Sequence, residues 1–360
     1  MTASSRHPIA REFCFEQAPL IAGALILAYI AAYLQHGFLP GADRPFPLAE
    51  VRVPIWHIIW MGVWTGYTMA VVGEASGIFA LPYSMSILQF SNLHVTPSTQ
   101  LLTFLNPVGA LLGFHRSGQW NLKFASAVCF GGVVGGFIGP FLRSSVLAAA
   151  GPFRLAVGFA LAIAGAHLCY MALHRPRATP ASSGGTRSHA GPQTTGASSS
   201  ASSKPKIEAH IAGTRITVAY ENQEWTMSVV LLFVIGALVG VIASALGVGG
   251  GFLLVPIFAS IYKISMHVLV AATIPFVIVL SGVGLFTYSL VLPAVGSTAI
   301  QPEWAWGLFA AAGGIFGSWA AAKTQLFVPE HFLKLMLGGV TGVVGALYVV
   351  NFFYPLPFRL

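Results

Sequence analysis

Leu246-Gly-Val-Gly-Gly-Gly-Phe-Leu-Leu-Val-Pro-Ile257 is the stretch that decides the fold, because it places four glycines between two apolar runs. In a soluble protein such a run would suggest a phosphate-binding loop. Here the flanking residues suit a hydrocarbon environment, and glycines between apolar runs let the chain break its helix and turn back. Backbone without helical hydrogen bonds is tolerated at membrane depth only where protein buries it or where it lines a cavity. The stretch therefore predicts a helical hairpin whose apex lies inside a membrane protein.

A second, more divergent copy of this stretch lies upstream, in Gly73-Glu-Ala-Ser-Gly-Ile-Phe-Ala-Leu-Pro82. Aligning the prolines of the two copies places Gly77 on Gly251. Further along, Asn106-Pro107 aligns with Ile274-Pro275 if the first copy has a longer loop. Paired hydrophobic segments that Gly and Pro interrupt in two halves of a chain point to a transporter's binding site.

The composition indicates a polytopic membrane protein, because 56% of the 360 residues are hydrophobic and only 8% are charged. The formal charge of +8 would suggest nucleic acid as a partner of a soluble protein. Here the basic residues stand mostly in loops between apolar runs, so they indicate orientation in the lipid bilayer, and no nucleic-acid partner is expected. The cysteines Cys14, Cys129 and Cys169 share no metal-ligand spacing. We expect neither a metal site nor a cofactor.

The predicted fold is all-α, with two repeats that each hold a broken helical hairpin followed by three transmembrane helices. The predicted parts are an N-terminal region 1–54 with an extra transmembrane helix 18–35, a first repeat 55–174, a Ser/Gly/Pro-rich linker 175–225 and a second repeat 226–354. Arg6 and Arg11 ahead of the extra helix would suit a signal peptide, but no small-residue cleavage site follows, which favours an uncleaved helix. Within the linker, the weak alternation of Arg215–Tyr220 predicts one short strand or hairpin.

The number of crossings predicts how the two repeats are oriented. The short hairpin arms, 78–90 and 252–262, cannot cross a hydrocarbon core of about 30 Å at about 1.5 Å per residue. A returning hairpin plus three spans is an odd number of crossings, so the repeats are expected to be inverted. Placing the linker and the N-terminus in the cytoplasm puts most Lys and Arg residues on that side of the cell inner (plasma) membrane.

The glycine run and the segment His267-Val-Leu-Val-Ala-Ala-Thr273 that follows it resemble the TauE/SafE family of sulfite exporter-like membrane proteins. The resemblance covers about residues 55–353. The first copy departs from the family pattern, because Glu74, Ala75 and Ser76 stand where a more glycine-rich run is typical. The resemblance implies transport of a small sulfur-containing anion such as sulfite, a sulfonate or a thiosulfate-like species. The identity of the anion, the direction, the coupling ion and whether the protein forms a homo-oligomer stay open.

The two hairpin apices are the predicted binding site. A helix N-terminus presents unpaired N–H groups and the positive end of a dipole, so two opposed N-termini near the midplane would hold an anion without any buried arginine. The predicted anion-binding residues at the apices are Ser76, Gly77, Ile78, Gly249, Gly250, Gly251 and Phe252. The alternative is that the glycines only permit close helix crossings, as we expect of Gly131, Gly135, Gly313 and Gly317.

Polar side chains near the apices are further candidates. Thr103, Asn106 and Thr273 would bind the anion, or would instead form hydrogen bonds between helices. Glu74 is the only acidic residue that we place inside an apolar segment, and it is the predicted proton-coupling residue. Its alternatives are an apex near water or a carboxyl bonded to backbone N–H groups. The predicted hinge and kink residues are Gly73, Pro82, Pro107, Gly247, Pro256 and Pro275.

Other functions fit the sequence less well. Ala75-Ser76-Gly77 invites an intramembrane serine hydrolase, but the residue two before the serine is Glu74, not glycine. A divalent-metal transporter would need clustered ligands that the apolar spans lack. A transporter of a different small organic anion stays open beside the sulfur-anion reading.

Overall fold

The fold is built mainly from helices. The computed structural model describes residues 17–38, 45–72, 76–116, 122–173, 208–220, 223–262, 266–297, 300–324 and 330–354. Its helices are α1 Ala18–His36, α2 Ile55–Val72, α3 Gly77–Ser86, α4 Val95–Arg116, α5 Leu122–Ser144, α6 Ala150–Leu173, α7 Val229–Leu246, α8 Gly251–Tyr262, α9 Met266–Phe286, α10 Leu292–Ala294, α11 Trp304–Thr324 and α12 Glu330–Phe353. A π-helical turn, Thr287–Val291, joins α9 to α10.

Six stretches of these helices are long and apolar enough to cross a membrane. They are Ala18–His36, Lys123–Ser144, Ala150–Leu173, Val229–Leu246, Ala272–Ala294 and Leu335–Phe353. Large apolar side chains on their outer faces are exposed, for example Leu238 on α7 and Val343 on α12. Exposed apolar surface of this extent fits contact with lipid. The predicted class, an all-α polytopic membrane protein, is confirmed in that respect.

Two small antiparallel sheets lie outside the helices. The loop after α1 forms a hairpin of β1 Pro45–Phe46 and β2 Val51–Arg52, which the sequence did not predict. Strands β3 Glu208–Ala212, β4 Arg215–Tyr220 and β5 Gln223–Ser228 form a second sheet in the order β3-β4-β5. The predicted strand at 215–220 is therefore the centre of three strands. The remainder of the predicted linker, 175–207, lies outside the described residues.

Glycines let the helices cross with their backbones in contact. A Cβ added to Gly66 on α2 would lie 2.6 Å from the Cα of Gly314 on α11. A Cβ added to Gly135 on α5 would lie 2.5 Å from the Cα of Gly240 on α7. Small residues permit such approach between helices in lipid. The crossing role expected of four glycines is thereby confirmed, since Gly131, Gly135, Gly313 and Gly317 all face the backbone of a neighbouring helix.

The helices of the two halves of the chain interlock. In each half the long hairpin arm packs on a helix of the other half, α2 on α11 and α7 on α5. Helices α4 and α9 pack against each other in the middle, and each also packs on the helix that holds the opposite long arm, α4 on α11 and α9 on α5. The last helices of the two halves, α6 and α12, pack together through Gly165 and Gly342. The two glycine breaks are thus enclosed by helices from both halves.

The first helix, α1, is held against α11 by a buried ion pair. His36 Nε2 lies 2.7 Å from Glu303 Oε1, and the backbone N–H of Leu48 donates to Glu303 Oε2 at 3.1 Å. Gln35 adds a hydrogen bond to the N–H of Trp304. Glu303 is completely buried. The sequence suggested that Glu74 alone placed a carboxyl in an apolar environment, so Glu303 is a correction to that expectation.

Candidate functional site

The first short helix, α3, begins at Gly77 without a side-chain cap. The carbonyl of Ser76 accepts from the N–H groups of Phe79 at 3.2 Å and Ala80 at 3.0 Å. The Ser76 side chain caps no backbone N–H of this helix. Its hydroxyl is fully buried and has no hydrogen-bond partner. The N-terminus of α3 is therefore an apolar-walled end with a hydroxyl in reserve.

The second short helix, α8, begins in the same manner at Gly251. The carbonyl of Gly250 accepts from the N–H groups of Leu253 at 3.2 Å and Leu254 at 3.0 Å. Gly250 therefore has the position in α8 that Ser76 has in α3, as the alignment of the two copies predicts.

Glycine is required in the second break because the chain turns through left-handed backbone there. Gly247 has φ 74° and Gly249 has φ 69°, conformations that side chains with a Cβ rarely adopt. Gly247 ends α7, and its N–H and that of Val248 both donate to the carbonyl of Ala243, at 2.8 and 3.1 Å. This pattern satisfies carbonyls at the end of α7 and turns the chain towards α8.

The two breaks lie against each other. A Cβ added to Gly77 would lie 2.7 Å from the Cα of Val248 and 2.6 Å from Oγ1 of Thr103. The start of α3 therefore touches the backbone of the second break and the side of α4. This contact joins the two predicted apices into one place in the molecule.

Helix α4 lines this place with threonines on one face. Gly247 faces Thr99, whose Oγ1 would lie 2.9 Å from an added Cβ, and Gly77 faces Thr103 one turn further along. The Thr103 hydroxyl donates to the carbonyl of Thr99 at 2.9 Å, and Thr99 donates to the carbonyl of Val95 at 3.0 Å. These hydroxyls satisfy their protons within α4 and present oxygen lone pairs to the breaks.

Asn106 lies one turn beyond Thr103 and is the least satisfied polar side chain near the breaks. It is completely buried, and neither its Oδ1 nor its Nδ2 has a hydrogen-bond partner. Its amide packs against Gly314 of α11, where an added Cβ would lie 2.5 Å from its Cγ. Buried amides are normally hydrogen-bonded, because an unmade bond costs free energy. The unused donor and acceptor are suited to a ligand.

The predicted residues of the second half lie on the α8 and α9 side of the breaks. Thr273 is buried on α9 and is engaged in an interaction of its own. Phe276, one turn along the same helix, covers Gly250. The side chains of Ile78 and Phe252 belong to the hydrophobic core, so only their backbone groups are available to a ligand.

The prolines predicted as kinks lie inside continuous helices. Pro82, Pro107, Pro256 and Pro275 stand within α3, α4, α8 and α9 respectively. Glu74 and Gly73, the predicted coupling and hinge residues of the first break, lie outside the described residues.

A buried polar chain that the sequence did not single out lies next to the second break. Gln100 Nε2 donates to Ser244 Oγ at 3.2 Å, and the Tyr288 hydroxyl donates to the carbonyl of Ser244, also at 3.2 Å. Arg143 Nε donates to Thr96 Oγ1 at 2.9 Å, and Arg143 is only 1% exposed. The sequence placed Arg143 in a loop on the far side and predicted a site that needs no buried arginine. Its position at the end of an apolar helix was the one local signal.

The unpartnered hydroxyl of Ser76 also bears on hydrolase chemistry. A serine nucleophile needs a base within hydrogen-bond reach, and the Ser76 hydroxyl has no such partner. The site is accordingly built for binding, with helix ends, hydroxyl oxygens and an amide converging where two breaks meet.

Comparison with known proteins gives one match. A family model described as sulfite exporter TauE/SafE matches residues 58–348, which include both breaks and all of the helices that enclose them. Neither the curated proteins nor the solved structures gave a significant match to the chain.

Proposed function

We propose that this protein, which belongs to the sulfite exporter TauE/SafE family, moves a small sulfur-containing anion across the membrane by alternating access. Proteins of this family are membrane transporters and not enzymes. The observation that carries the finer proposal is the contact between the start of α3 at Gly77 and the second break at Val248. Two helix starts close to one place supply N–H groups and positive dipole ends, which suit an oxyanion such as sulfite, a sulfonate or thiosulfate.

The polar side chains beside the breaks complete the proposed site. The Ser76 hydroxyl and the Asn106 amide are buried without partners, so a bound anion would supply the hydrogen bonds that they lack. The backbone of Gly250, Gly251 and Phe252 would contribute from the second half, with Thr103 between the halves. A pyramidal or tetrahedral oxyanion has acceptor oxygens in several directions, which matches donors that converge from two helices.

Inverted repeats, 55–174 and 226–354, are the proposed basis of alternating access. The reciprocal packing supports this, since α2 packs on α11 as α7 packs on α5, and α4 packs on α11 as α9 packs on α5. In such an arrangement the two hairpins enter from opposite sides and exchange roles as the site opens to one side and then the other. The proposed setting is the inner membrane, with the N-terminus and the linker 175–225 in the cytoplasm.

Proton coupling is assigned to Glu74. It is placed in the first break by the sequence, next to Ser76, where burial would favour the neutral carboxylic acid. An ionised Glu74 would repel an anion, so its protonation would favour binding. The second break offers only glycines and apolar residues, so a proton-sensing group of this kind belongs to the first break.

The test is thermal unfolding of the purified protein with a panel of anions. A ligand that binds only the folded state raises the apparent stability, so sulfite, thiosulfate or an organosulfonate should raise the melting temperature in a saturable manner. Stabilisation by carboxylates and by none of the sulfur oxyanions would favour the alternative, a transporter of another small organic anion. A panel with no stabilising member, combined with no uptake of any of these anions into proteoliposomes, would contradict the proposal.

A further inference from the structure

Arg143 is a buried cation whose described partners are all neutral. It stands in the last turn of α5, and its Nε donates to Thr96 Oγ1 at 2.9 Å. A second guanidinium nitrogen donates to the backbone carbonyl of Leu147. The guanidinium carbon lies 3.7 Å from the ring centroid of Phe153, a cation–π contact. These contacts hold the side chain in place without cancelling its charge.

No carboxylate balances this charge among the described residues. The ion pair found there joins His36 to Glu303, and Arg143 takes no part in it. Tyr288, which interacts with Arg143 electrostatically, is a neutral phenol that donates to a backbone carbonyl. An unbalanced buried charge is costly in a membrane protein, and charged residues there are rare and commonly functional.

The cation lies one residue away from the second break. Thr96, which accepts from Arg143, also packs against Gly247, where an added Cβ would lie 2.8 Å from Thr96 Cγ2. The next residue after Gly247 is Val248, which touches Gly77. Arg143 thus stands beside the place where the two helix starts meet, on the half of that place that contains no charge of its own.

We propose that Arg143 is the fixed positive charge of the anion site and that it makes the site prefer dianions to monoanions. This inference rests on the proposed function, because it assigns a charge preference to the same site. Arg143 acts through the electric field and is a positioning and selectivity residue, since Thr96 separates it from the breaks. At a separation on the order of 10 Å and an effective dielectric constant of about 20, Coulomb's law gives about tenfold in affinity per unit of ligand charge.

A purely structural role predicts a different pattern. If Arg143 only tied the end of α5 to the start of α4, its loss would weaken the binding of every anion by a similar factor. An electrostatic role instead makes the loss grow with the charge of the ligand. The ratio of two affinities therefore separates the two roles, and it is insensitive to a general loss of folded protein.

The experiment compares thiosulfate, a dianion, with methanesulfonate, a monoanion, in binding to the full-length protein and to Arg143→Gln and Arg143→Lys. We expect Arg143→Gln to lose affinity by about a hundredfold for thiosulfate and by about tenfold for methanesulfonate. Arg143→Lys should retain the preference for thiosulfate. Equal losses for the two ligands in Arg143→Gln, or an Arg143→Lys variant that loses the preference as completely, would overturn the inference.

A second pair of variants keeps the test open if Arg143→Gln does not fold. Leu147→Glu places a carboxylate beside the guanidinium and neutralises its field, and Leu147→Gln is the matched neutral control. The preference for thiosulfate should fall in Leu147→Glu and persist in Leu147→Gln, and the same preference in both variants would contradict the inference. If the wild-type protein binds neither anion, the proposed function fails as well, which is a distinct result.

Discussion

Gly77 and Val248 are separated by most of a repeat in sequence, yet their backbones touch. A Cβ on Gly77 would lie 2.7 Å from the Cα of Val248 and 2.8 Å from its carbonyl carbon. Both atoms belong to backbone, so neither can rotate away as the end of a flexible side chain can. The side chain of residue 77 is therefore absent because the two breaks occupy the space where it would stand.

Gly77→Ala should destabilise the protein and weaken anion binding. Overpacking of this kind costs about 1–3 kcal/mol, and it would push the start of α3 away from the second break. Gly339→Ala is the control, because a Cβ there meets nothing within 4 Å and alanine is the better helix former by about 1 kcal/mol. Thermal unfolding should show opposite signs for the two variants. A Gly77→Ala protein as stable as Gly339→Ala would refute the close contact.

Asn106→Leu should separate stability from binding. Since neither polar atom of Asn106 has a protein partner, replacing the amide by an apolar group of similar size removes no intramolecular hydrogen bond. We expect unchanged or higher thermal stability together with at least about tenfold weaker anion binding, the loss typical of one hydrogen bond to a charged group.

Thr341→Val is a matched control for Asn106→Leu, since Thr341 is also buried but donates to the carbonyl of Leu337 far from the breaks. It should bind the anion like the wild type. Full anion-induced stabilisation in Asn106→Leu would remove Asn106 from the site.

Glu74→Gln should remove the pH dependence of transport without abolishing binding. The variant carries a neutral group in the first break at every pH, so it should bind the anion as the protonated wild type does. Uptake of the stabilising anion into proteoliposomes, measured across a range of external pH, checks this. If Glu74→Gln retained the full pH dependence of the wild type, proton coupling would have to be assigned elsewhere.

Glu303→Ala should loosen the first helix. The change leaves the His36 imidazole and the Leu48 N–H without their acceptor, and breaking a buried pair by removing one partner costs about 3–5 kcal/mol. Glu224→Ala, on the exposed side of β5, should have little effect. The comparison is made by thermal unfolding, and equal melting temperatures for the two variants would show that the pair does not anchor α1.

Single cysteines test the proposed orientation. In a protein whose native cysteines are replaced by serine, Ser145→Cys lies in the exposed loop after α5 and His210→Cys lies on the exposed face of β3. An impermeant maleimide should label Ser145→Cys in intact cells and His210→Cys only after permeabilisation. The reverse pattern would invert the topology, and labelling of both in intact cells would contradict the odd number of crossings between them.

Local signals account for what the sequence predicts well. Helices begin at Gly77 and Gly251, and the second break turns at Gly247, because glycine content and proline spacing act on the nearby backbone. The helix bounds follow from the lengths of the apolar runs, as in Ile55–Val72, predicted and observed alike. The hairpins themselves are readable because both copies carry the same pattern.

Contacts between distant residues account for what the sequence does not predict. Glu303 looks like a residue of a polar loop until α1 brings His36 to it across most of the chain. Arg143 looks like a loop cation until Thr96 and Phe153 enclose it. Strands β3 and β5 have too weak an alternation to stand out, and they are strands because Arg215–Tyr220 pairs with both. These features depend on the packed fold.

Crystals soaked with selenite, a heavier analogue of sulfite with strong anomalous scattering, test the central claim most directly. The account predicts one anomalous peak within hydrogen-bond distance, about 3 Å, of the backbone N–H groups at the starts of α3 and α8, near Gly77 and Gly251. Competition by sulfite should remove that peak. A selenite peak that sulfite displaces but that lies away from both helix starts would contradict the account.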